Sequence, residues 1–244
     1  MSHFQRLGRF FRVGSAVGLL LAAGLQAHAQ GAPLQLNPKK PGTAAPAKPG
    51  PGKPAPGKAS PVDAATAIAK ANDYLNASSI LNADFVQIAA DGHRSEGRLS
   101  VSKPGRMRFE YDSPATLTIV ADGTSVAIQD RKLHTQDLYF IGQTPLKFLL
   151  KEQIDISRDT KVLDVTAEGN STAVFIEDKA TFGGTSRIKL TFDSTSFALK
   201  QWKVVDPQGY ETLVSLFNVD TSRKPDSALF KIDQDKFRAT NTNK

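Results

Sequence analysis

The chain has 244 residues, of which 31 are Lys or Arg and 24 are Asp or Glu, and it contains no cysteine. Without cysteine there is no disulfide framework, no thiolate metal site and no cysteine nucleophile. Eight of the basic residues and none of the acidic ones precede Asp63, which leaves 23 basic against 24 acidic side chains beyond it. The net charge of +7 therefore belongs to the N-terminal segments, and the remainder lacks the electrostatic footprint of a nucleic-acid-binding protein.

Residues 1–29 have the pattern of a secretory signal peptide. Three arginines within residues 6–12 precede an apolar run over 13–25 and an Ala-His-Ala tripeptide that ends at Ala29. The apolar run is too short to cross a bilayer core of about 30 Å as a helix, so we expect cleavage after Ala29 and an exported protein outside the cytoplasm. The alternative is a retained N-terminal anchor.

Residues 30–61 are rich in Pro, Gly and Lys, as in the repeat-like stretch over 49–58. Such a composition offers little apolar burial to repay the entropy of ordering, so it predicts an extended cationic linker. A solvated spacer is the favoured interpretation, and weak attraction to anionic headgroups is the alternative. We expect the folded domain to occupy residues 62–244.

A helical pattern opens the folded domain at residues 62–77. Asp63 lies at a capping or first-turn position, and Ile68, Ala71 and Leu75 recur at helical spacing. We expect this amphipathic helix to cover one end of a sheet.

Most of the remaining chain alternates at period two between turns made of Gly, Pro and Asp, which is typical of antiparallel strands joined by hairpins. In the run 106–111, Met107, Phe109 and Tyr111 point to one face and charged residues to the other. The expected strands are 82–88, 94–101, 106–111, 116–121, 125–129, a short run near Leu133, 162–167, 172–177, 186–193, 197–205 and 211–219. About eleven strands predict a mainly β fold, a large antiparallel sheet that must curl.

Residues 144–151 interrupt the strands and predict a second, short helix. Thr144 is expected to cap it and Pro145 to occupy its first turn. Its apolar stripe comprises Leu146, Leu149 and Leu150. Such a stripe could pack permanently in the core or form a movable lid. Near the C-terminus we expect Phe230 to plug an end of the core and residues after Arg238 to fray.

The sequence contains no pattern that favours catalysis. His93 and His134 stand alone, most turn aspartates adjoin Pro or Gly, and no nucleophile elbow, phosphate loop or dinucleotide motif occurs. We therefore expect no enzyme activity, no metal and no cofactor. A curled sheet with a large apolar face can enclose a cavity, and burying an acyl chain contributes roughly 0.8 kcal/mol per methylene. Lipid binding is accordingly the favoured class of function.

Several short motifs occur together in a specific order. They are Phe85-x-Gln87, Gly97-x-Leu99, Lys103-Pro104-Gly105-x-x-Arg108-Phe109-x-Tyr111, Pro114, Ile119-Val120-x-Asp122-Gly123, Pro145-Leu146 with Leu149-Leu150, and Asp206-x-x-Gly209 with Thr212. Over about residues 66–232 the sequence resembles the LolA family of periplasmic outer-membrane lipoprotein carriers.

The resemblance implies an incomplete, strongly curved antiparallel β-barrel closed by a few helices. Its apolar interior would shield the acyl chains of lipoproteins that cross the periplasm. It also implies partners: acylated lipoproteins as cargo, an inner-membrane ATP-driven releasing complex and an outer-membrane acceptor. No cofactor or nucleic acid is implied, and we expect a monomer. The sequence leaves open whether a separate acceptor exists or the carrier delivers its cargo itself.

The same resemblance implies site residues. The cavity wall would comprise Leu99, Val101, Met107, Phe109, Tyr111, Leu117 and Ile119, and the lid would comprise Leu146, Leu149 and Leu150. The alternative is that these side chains fill a dry core. Family members often have Arg, tied to lid closure by hydrogen bonds, where this chain has Lys103, whose single ammonium replaces a planar fork. The latch or partner candidates are Lys103, Arg106 and Arg108.

Two rival functions stay open at this stage. One is a lipid- or glycolipid-binding or sensing module of the same fold that acts on a membrane partner. The other, ranked last, is a hydrolase that depends on a polar residue such as Asp112.

Overall fold

The computed structural model describes residues 63–233, so the predicted signal peptide, the predicted linker and residues 234–244 lie outside the described part. The strands are β1 (Ile80–Ile88), β2 (Arg94–Ser102), β3 (Arg106–Tyr111), β4 (Leu117–Asp122), β5 (Ser125–Asp130), β6 (Thr135–Phe140), β7 (Lys161–Glu168), β8 (Ser171–Thr181), β9 (Gly184–Asp193), β10 (Leu199–Val205) and β11 (Glu211–Asp220). The helices are α1 (Ala64–Ala77), α2 (Lys147–Leu150) and α3 (Ile156–Asp159), with 3-10 turns at Ile141–Gln143 and Ser227–Phe230. Within residues 63–233, none of these helices has the length and hydropathy needed to cross a membrane.

All eleven described strands belong to one sheet, in the order β6-β5-β4-β3-β2-β1-β11-β10-β9-β8-β7. Every pairing is antiparallel, and most neighbours are joined by short turns. Strands β6 and β7 form the two edges and do not pair with each other, so the sheet is open. The predicted fold class, mainly β with about eleven antiparallel strands and few helices, is confirmed.

The sheet is strongly curved. Phe109 on β3 and Trp202 on β10 have ring centroids 6.4 Å apart, although four strand pairings separate them. Four spacings of a flat sheet would span about 19 Å. Tyr139 on the edge strand β6 and Phe182, directly after β8, have ring centroids 6.0 Å apart. The Phe182 N–H donates to Gln143 O, just after β6, at 2.8 Å. The two ends of the sheet therefore approach each other around a concave face.

The concave face carries the main apolar cluster. Leu99, Met107, Leu190 and Phe192 are completely withdrawn from solvent because alternate side chains of each strand point inward. At one end, α1 adds Ala67, Ala71 and Leu75 to the cluster. The small alanines allow the helix backbone to approach the sheet closely.

Helix α1 begins as the sequence predicts. Asp63 is its N-cap, and the carboxylate accepts the Thr66 N–H at 3.0 Å. Asn76 ties the helix to the segment after α2: its amide accepts the Ile154 N–H at 2.8 Å and donates to Ile154 O at 2.9 Å. Asn72 accepts the Ile156 N–H at 3.0 Å. These two side chains hold an irregular segment in the way that a neighbouring strand would.

The predicted strand near Leu133 is wrong. Leu133 lies in the turn between β5 and β6, where Asp130 Oδ1 accepts the N–H groups of Lys132 and Leu133 at 2.8 and 3.0 Å. The strand that follows begins at Thr135. An aspartate that satisfies two backbone donors favours a turn over continued pairing.

The predicted cap of the mid-chain helix is also wrong. Thr144 ends the 3-10 turn, and its hydroxyl donates to Ile141 O at 2.9 Å. Leu146 is the N-cap of α2 and makes no side-chain capping bond. The short helix α3, capped by Asp155, is absent from the sequence prediction because four residues are too few to show periodicity.

Phe230 is buried, but not in the main cluster. The 3-10 turn that carries it lies on the outer side of β3, where Arg108 Nη1 donates to Leu229 O at 3.4 Å. The expectation that Phe230 plugs an end of the core is therefore wrong. It covers the opposite face of the sheet.

Replacing Gly97 in β2 by a larger residue should strongly lower the stability of the protein. A Cβ at this position would overlap the Glu110 carbonyl oxygen and lie 2.9 Å from Tyr111 Cα. Both contacts are with the backbone of β3, which cannot rotate away, so Gly97→Ala should lower the free energy of unfolding by about 3 kcal/mol. Urea unfolding followed by the fluorescence of Trp202, the only tryptophan, measures this change.

Gly142→Ala is the matched control because a Cβ at Gly142 would have open space within 4 Å. Its unfolding midpoint should stay close to that of the unmodified protein. Equal midpoints for the two variants would contradict the close approach of β2 and β3.

Candidate functional site

A mostly apolar pocket lies between the concave face of the sheet and the residues Pro145 and Leu146. It has a volume of about 50 Å³ and is lined by Gln87, Phe109, Tyr111, Ile119, Pro145, Leu146, Ser186, Trp202, Val204, Asp206, Pro207, Tyr210, Thr212 and Val214. Four of the predicted site residues, Phe109, Tyr111, Ile119 and Leu146, are in this lining. Trp202 and Ser186 are not among the predicted residues, because no motif contains them. Gln87, Asp206 and Thr212 belong to the family motifs, but the motifs do not indicate that their side chains line a pocket.

The other predicted wall and lid residues lie deeper or elsewhere. Leu99, Met107 and Leu150 belong to the main cluster and are not among the residues that line this pocket. Val101 and Leu149 line a second cavity of about 10 Å³ near the end of α1. Leu117 is half-buried against the cluster. Most of the interior is thus filled by side chains, and a small pocket remains beside Phe109 and Trp202.

The segment 141–156 closes the concave face, and we call it the lid segment. Its α2 turn places Phe148 against Trp202, with ring centroids 5.8 Å apart. The Gly105 N–H donates to Leu150 O at 2.8 Å, which joins the end of α2 to the turn between β2 and β3. Gly105 has φ +73°, and a Cβ there would lie 2.7 Å from Gly123 Cα, so this turn requires glycine.

A buried ion pair holds α2 to β8. Lys147 Nζ lies 2.7 Å from Asp178 Oδ1, with the two side chains 13% and 2% exposed. The same carboxylate oxygen accepts the Ala180 N–H at 2.9 Å. An acidic residue at the inward position of β8, in register with Val174 and Ile176, is the sequence signal that would have identified this contact.

Lys103 connects the same turn to α1. Its ammonium donates to Leu75 O in the last turn of α1, a turn that carries no basic residue of its own. A cation at this position complements the negative end of the helix dipole. Lys103 also lines the small cavity beside Leu149, where partial burial lowers the pKa of its ammonium to about 8.

Arg106 and Arg108 lie away from the lid segment. Arg106 Nε donates to Ser102 O at 3.4 Å. Arg108 Nε lies 3.3 Å from Glu110 Oε2, and its Nη1 reaches Leu229 O on the outer side of the sheet. Of the three predicted latch or partner residues, Lys103 is the one that the fold brings beside the lid segment.

The fold and the pocket define an open half-barrel protein whose apolar pocket is covered by a short helical segment. A family described as "Outer membrane lipoprotein carrier protein LolA" matches residues 76–233. Relatives named outer-membrane lipoprotein carrier protein include one from Chromobacterium violaceum, 29% identical over 62% of this chain and 75% of the relative. Another, from Legionella pneumophila, is 30% identical over 64% of this chain and 80% of the relative.

Among solved structures, a LolA superfamily protein from Nitrosomonas europaea superposes with a TM-score of 0.41 and 9% identity, over 70% of this chain and 98% of that one. The family match covers well over half of the chain. This protein therefore belongs to the LolA family of outer membrane lipoprotein carrier proteins, as the sequence motifs predict.

The lowered pKa of Lys103 predicts a pH-dependent stability. The folded protein has this pKa at about 8 and the unfolded chain near the ordinary value of 10.5, so the unfolded chain binds more protons between these values. Deprotonation therefore favours the folded state, and stability should rise from pH 8 to 10.5 relative to Lys103→Met, with a constant difference below pH 8.

Urea midpoints of the wild-type chain and of Lys103→Met across this range give the difference, because other titrations cancel. Lys179→Met, which removes an exposed lysine, supplies the baseline. Parallel curves for the wild-type chain and Lys103→Met would contradict the proton linkage of this lysine.

Proposed function

We propose that this protein is a periplasmic carrier that binds the acyl chains of lipoproteins in its half-barrel and transports them from the inner to the outer membrane. This assignment rests on an apolar pocket, lined by Phe109, Ile119 and Trp202, beneath a lid segment whose α2 turn is held by one buried ion pair and one backbone hydrogen bond. Membership of a family named for lipoprotein carriage supports this assignment.

Loading requires the lid segment to move. The pocket volume of about 50 Å³ is well below the roughly 150 Å³ of a dry cavity that holds one benzene molecule. An acyl chain is several times larger than benzene, so it enters only as Phe148, Leu149 and Leu150 leave the concave face. Their apolar side chains are replaced by methylenes, and the exchange keeps the face covered.

The energies are of a size that permits exchange. A chain of about 14 methylenes contributes on the order of 11 kcal/mol when it leaves water. Opening the lid segment exposes three apolar residues and breaks the Lys147–Asp178 pair and the Gly105–Leu150 hydrogen bond. The acyl chain supplies more apolar area than the lid loses, so binding offsets opening and the closed form stays accessible for release.

The proposed partners follow from this cycle. Acylated lipoproteins are the cargo, an inner-membrane ATP-driven complex loads the carrier, and an outer-membrane acceptor receives the cargo. Lys103 serves as the latch between α1 and the lid segment. The predicted wall residues Leu99, Val101, Met107 and Leu117 become accessible to acyl chains when the lid segment opens.

The assignment predicts a soluble complex of one carrier with one lipoprotein. The exported chain, incubated with inner-membrane vesicles that contain acylated lipoproteins, should release them in this complex, because Trp202 and its neighbours shield the acyl chains. Native mass spectrometry gives the stoichiometry, and chains brominated on the acyl group should quench Trp202. Cellular depletion should leave outer-membrane lipoproteins at the inner membrane.

A nonacylated version of the same lipoprotein is the control and should neither bind nor quench. Correct lipoprotein sorting after depletion would contradict carriage. A glycolipid found in place of lipoprotein in material isolated from the periplasm would favour the rival, a lipid-binding or sensing module.

The lid segment gives a second prediction. Lys147→Met leaves the Asp178 carboxylate, 2% exposed, without its cation, which should destabilise closure by about 3 kcal/mol. Association of a brominated lipopeptide, followed by Trp202 quenching, should become at least about tenfold faster in this variant because the open form is more populated.

Lys151→Met is the matched control in the same segment. Lys151 is 43% exposed and pairs with Asp159 at 3.0 Å, a surface contact that contributes about 1 kcal/mol or less. Its effect on association should stay below about fivefold. Equal acceleration by both variants would show that the buried pair does not control opening.

A further inference from the structure

The pocket is lined in part by polar side chains that the binding of an acyl chain does not require. Gln87, Tyr111 and Asp206 all line it, and we call these three residues the collar. The pocket reaches solvent beside them, because Tyr210, another lining residue, is 56% exposed. Asp206 adjoins this opening, since its N–H donates to Tyr210 O at 3.1 Å.

Gln87 and Tyr111 form a buried pair on β1 and β3. Their side chains are almost completely withdrawn from solvent, and Tyr111 Oη donates to Gln87 Oε1 at 2.8 Å. Burial raises the pKa of the Tyr111 phenol, so the hydroxyl stays protonated as this donor. The hydrogen bond uses the acceptor of the Gln87 amide, and the two N–H donors of Nε2 have no hydrogen-bond partner among the described residues.

Asp206 contributes an acceptor. Its Oδ1 accepts the N–H groups of Gln208 and Tyr210 at 2.9 and 2.8 Å, which accounts for its role in the turn between β10 and β11. Its Oδ2 is withdrawn from solvent and has no hydrogen-bond partner among the described residues. An unpaired buried carboxylate oxygen is costly, so a ligand that supplies a donor here gains affinity.

We propose that the collar binds the polar linkage of the lipid anchor. Gln87 Nε2–H donates to an ester carbonyl of the glyceryl group, and Asp206 Oδ2 accepts an amide N–H of the acylated cysteine. This inference rests on the proposed function and deepens it, because it assigns the feature by which the carrier distinguishes cargo from other lipids with the same acyl chains.

The discrimination comes from charge and from hydrogen-bond donors. A phospholipid has ester carbonyls, but it places a phosphate anion where Asp206 presents a carboxylate, and a glycerol headgroup supplies no amide N–H. Like charges held close together are repulsive, which disfavours the phospholipid beyond the lost hydrogen bond. The apolar pocket alone cannot make this distinction, since the acyl chains are the same.

The test compares two ligands with identical brominated palmitoyl chains, a tripalmitoyl cysteine peptide and phosphatidylglycerol, by quenching of Trp202. The exported wild-type chain should prefer the lipopeptide by at least about tenfold. Asp206→Asn keeps the turn acceptor and replaces the unpaired oxygen with a donor. It should weaken lipopeptide binding about tenfold or more and leave phosphatidylglycerol binding equal or tighter, so that the preference disappears.

Two further variants complete the design. Gln87→Leu combined with Tyr111→Phe removes both members of the buried pair, so neither is left unsatisfied, and should reduce the lipopeptide preference without preventing quenching. Asp122→Asn is the matched control. Asp122 Oδ1 also accepts two turn N–H groups, from Thr124 and Ser125 at 2.9 Å each, and Asp122 does not line the pocket.

The outcomes separate the collar from the proposed function. An unchanged preference in Asp206→Asn, or an equal loss for both ligands, overturns the collar. A wild-type chain that binds both ligands equally also overturns it and leaves acyl-chain carriage intact. A wild-type chain that binds no lipopeptide overturns the proposed function together with the collar.

Discussion

An open sheet with one apolar face has to keep that face out of water, and this requirement shapes the rest of the molecule. Curvature solves part of it by turning the face inward, so that β3 and β10 meet through Phe109 and Trp202. The remainder needs a cover, which α1 and the lid segment supply. A packed core would use permanent cover throughout. Here part of the cover is the one-turn helix α2, which has three consecutive buried residues. A helix this short is not stable by itself and depends on those buried contacts.

The polar contacts are distributed in a way that suits exchange. The permanent cover, α1, is joined to the sheet side by Lys103 and to the end of the lid segment by Asn72 and Asn76. The centre of the lid segment depends on the Lys147–Asp178 pair and one backbone hydrogen bond. Buried ion pairs contribute less to stability than their geometry suggests, because desolvation opposes the attraction. The ion pair thus fixes the position of the closed lid segment but adds little to the free energy that favours the closed form.

The sequence predicts the sheet well because each strand is decided locally. In β3 the alternation of Met107, Phe109 and Tyr111 with charged residues sets both the strand limits and the inward face, and the structure has the same bounds. The family motifs add the curvature, which alternation does not contain. Leu133 shows the limit of this reasoning, since one aspartate satisfying two backbone donors changes an expected strand into a turn.

The site is less predictable because it depends on contacts between distant parts of the chain. The inward position of Asp178 on β8 indicates a buried partner, but the sequence does not say which one, and the curved sheet brings Lys147 to it. Asp206 accepts turn N–H groups with one oxygen and also lines the pocket, which no local pattern indicates. Arg106 and Arg108 follow Lys103 closely in sequence, yet neither contacts the lid segment among the described hydrogen bonds, and Arg108 reaches Leu229 O on the outer side of the sheet. Phe230 likewise is apolar enough for the core and lies outside it.

The attachment of the lid segment at both ends has a kinetic consequence. Gln143 is bound to Phe182 at one end, and Ile154 is bound to Asn76 at the other. With both ends fixed, the residues between them move as a short closed loop, and reclosure carries only a small loop entropy, which changes slowly with loop length. In the proposed cycle, the apolar side chains of α2 would act as a competitor tethered at high local concentration, always present to displace a departing acyl chain. Release would then be a substitution reaction in which the incoming group is part of the carrier itself.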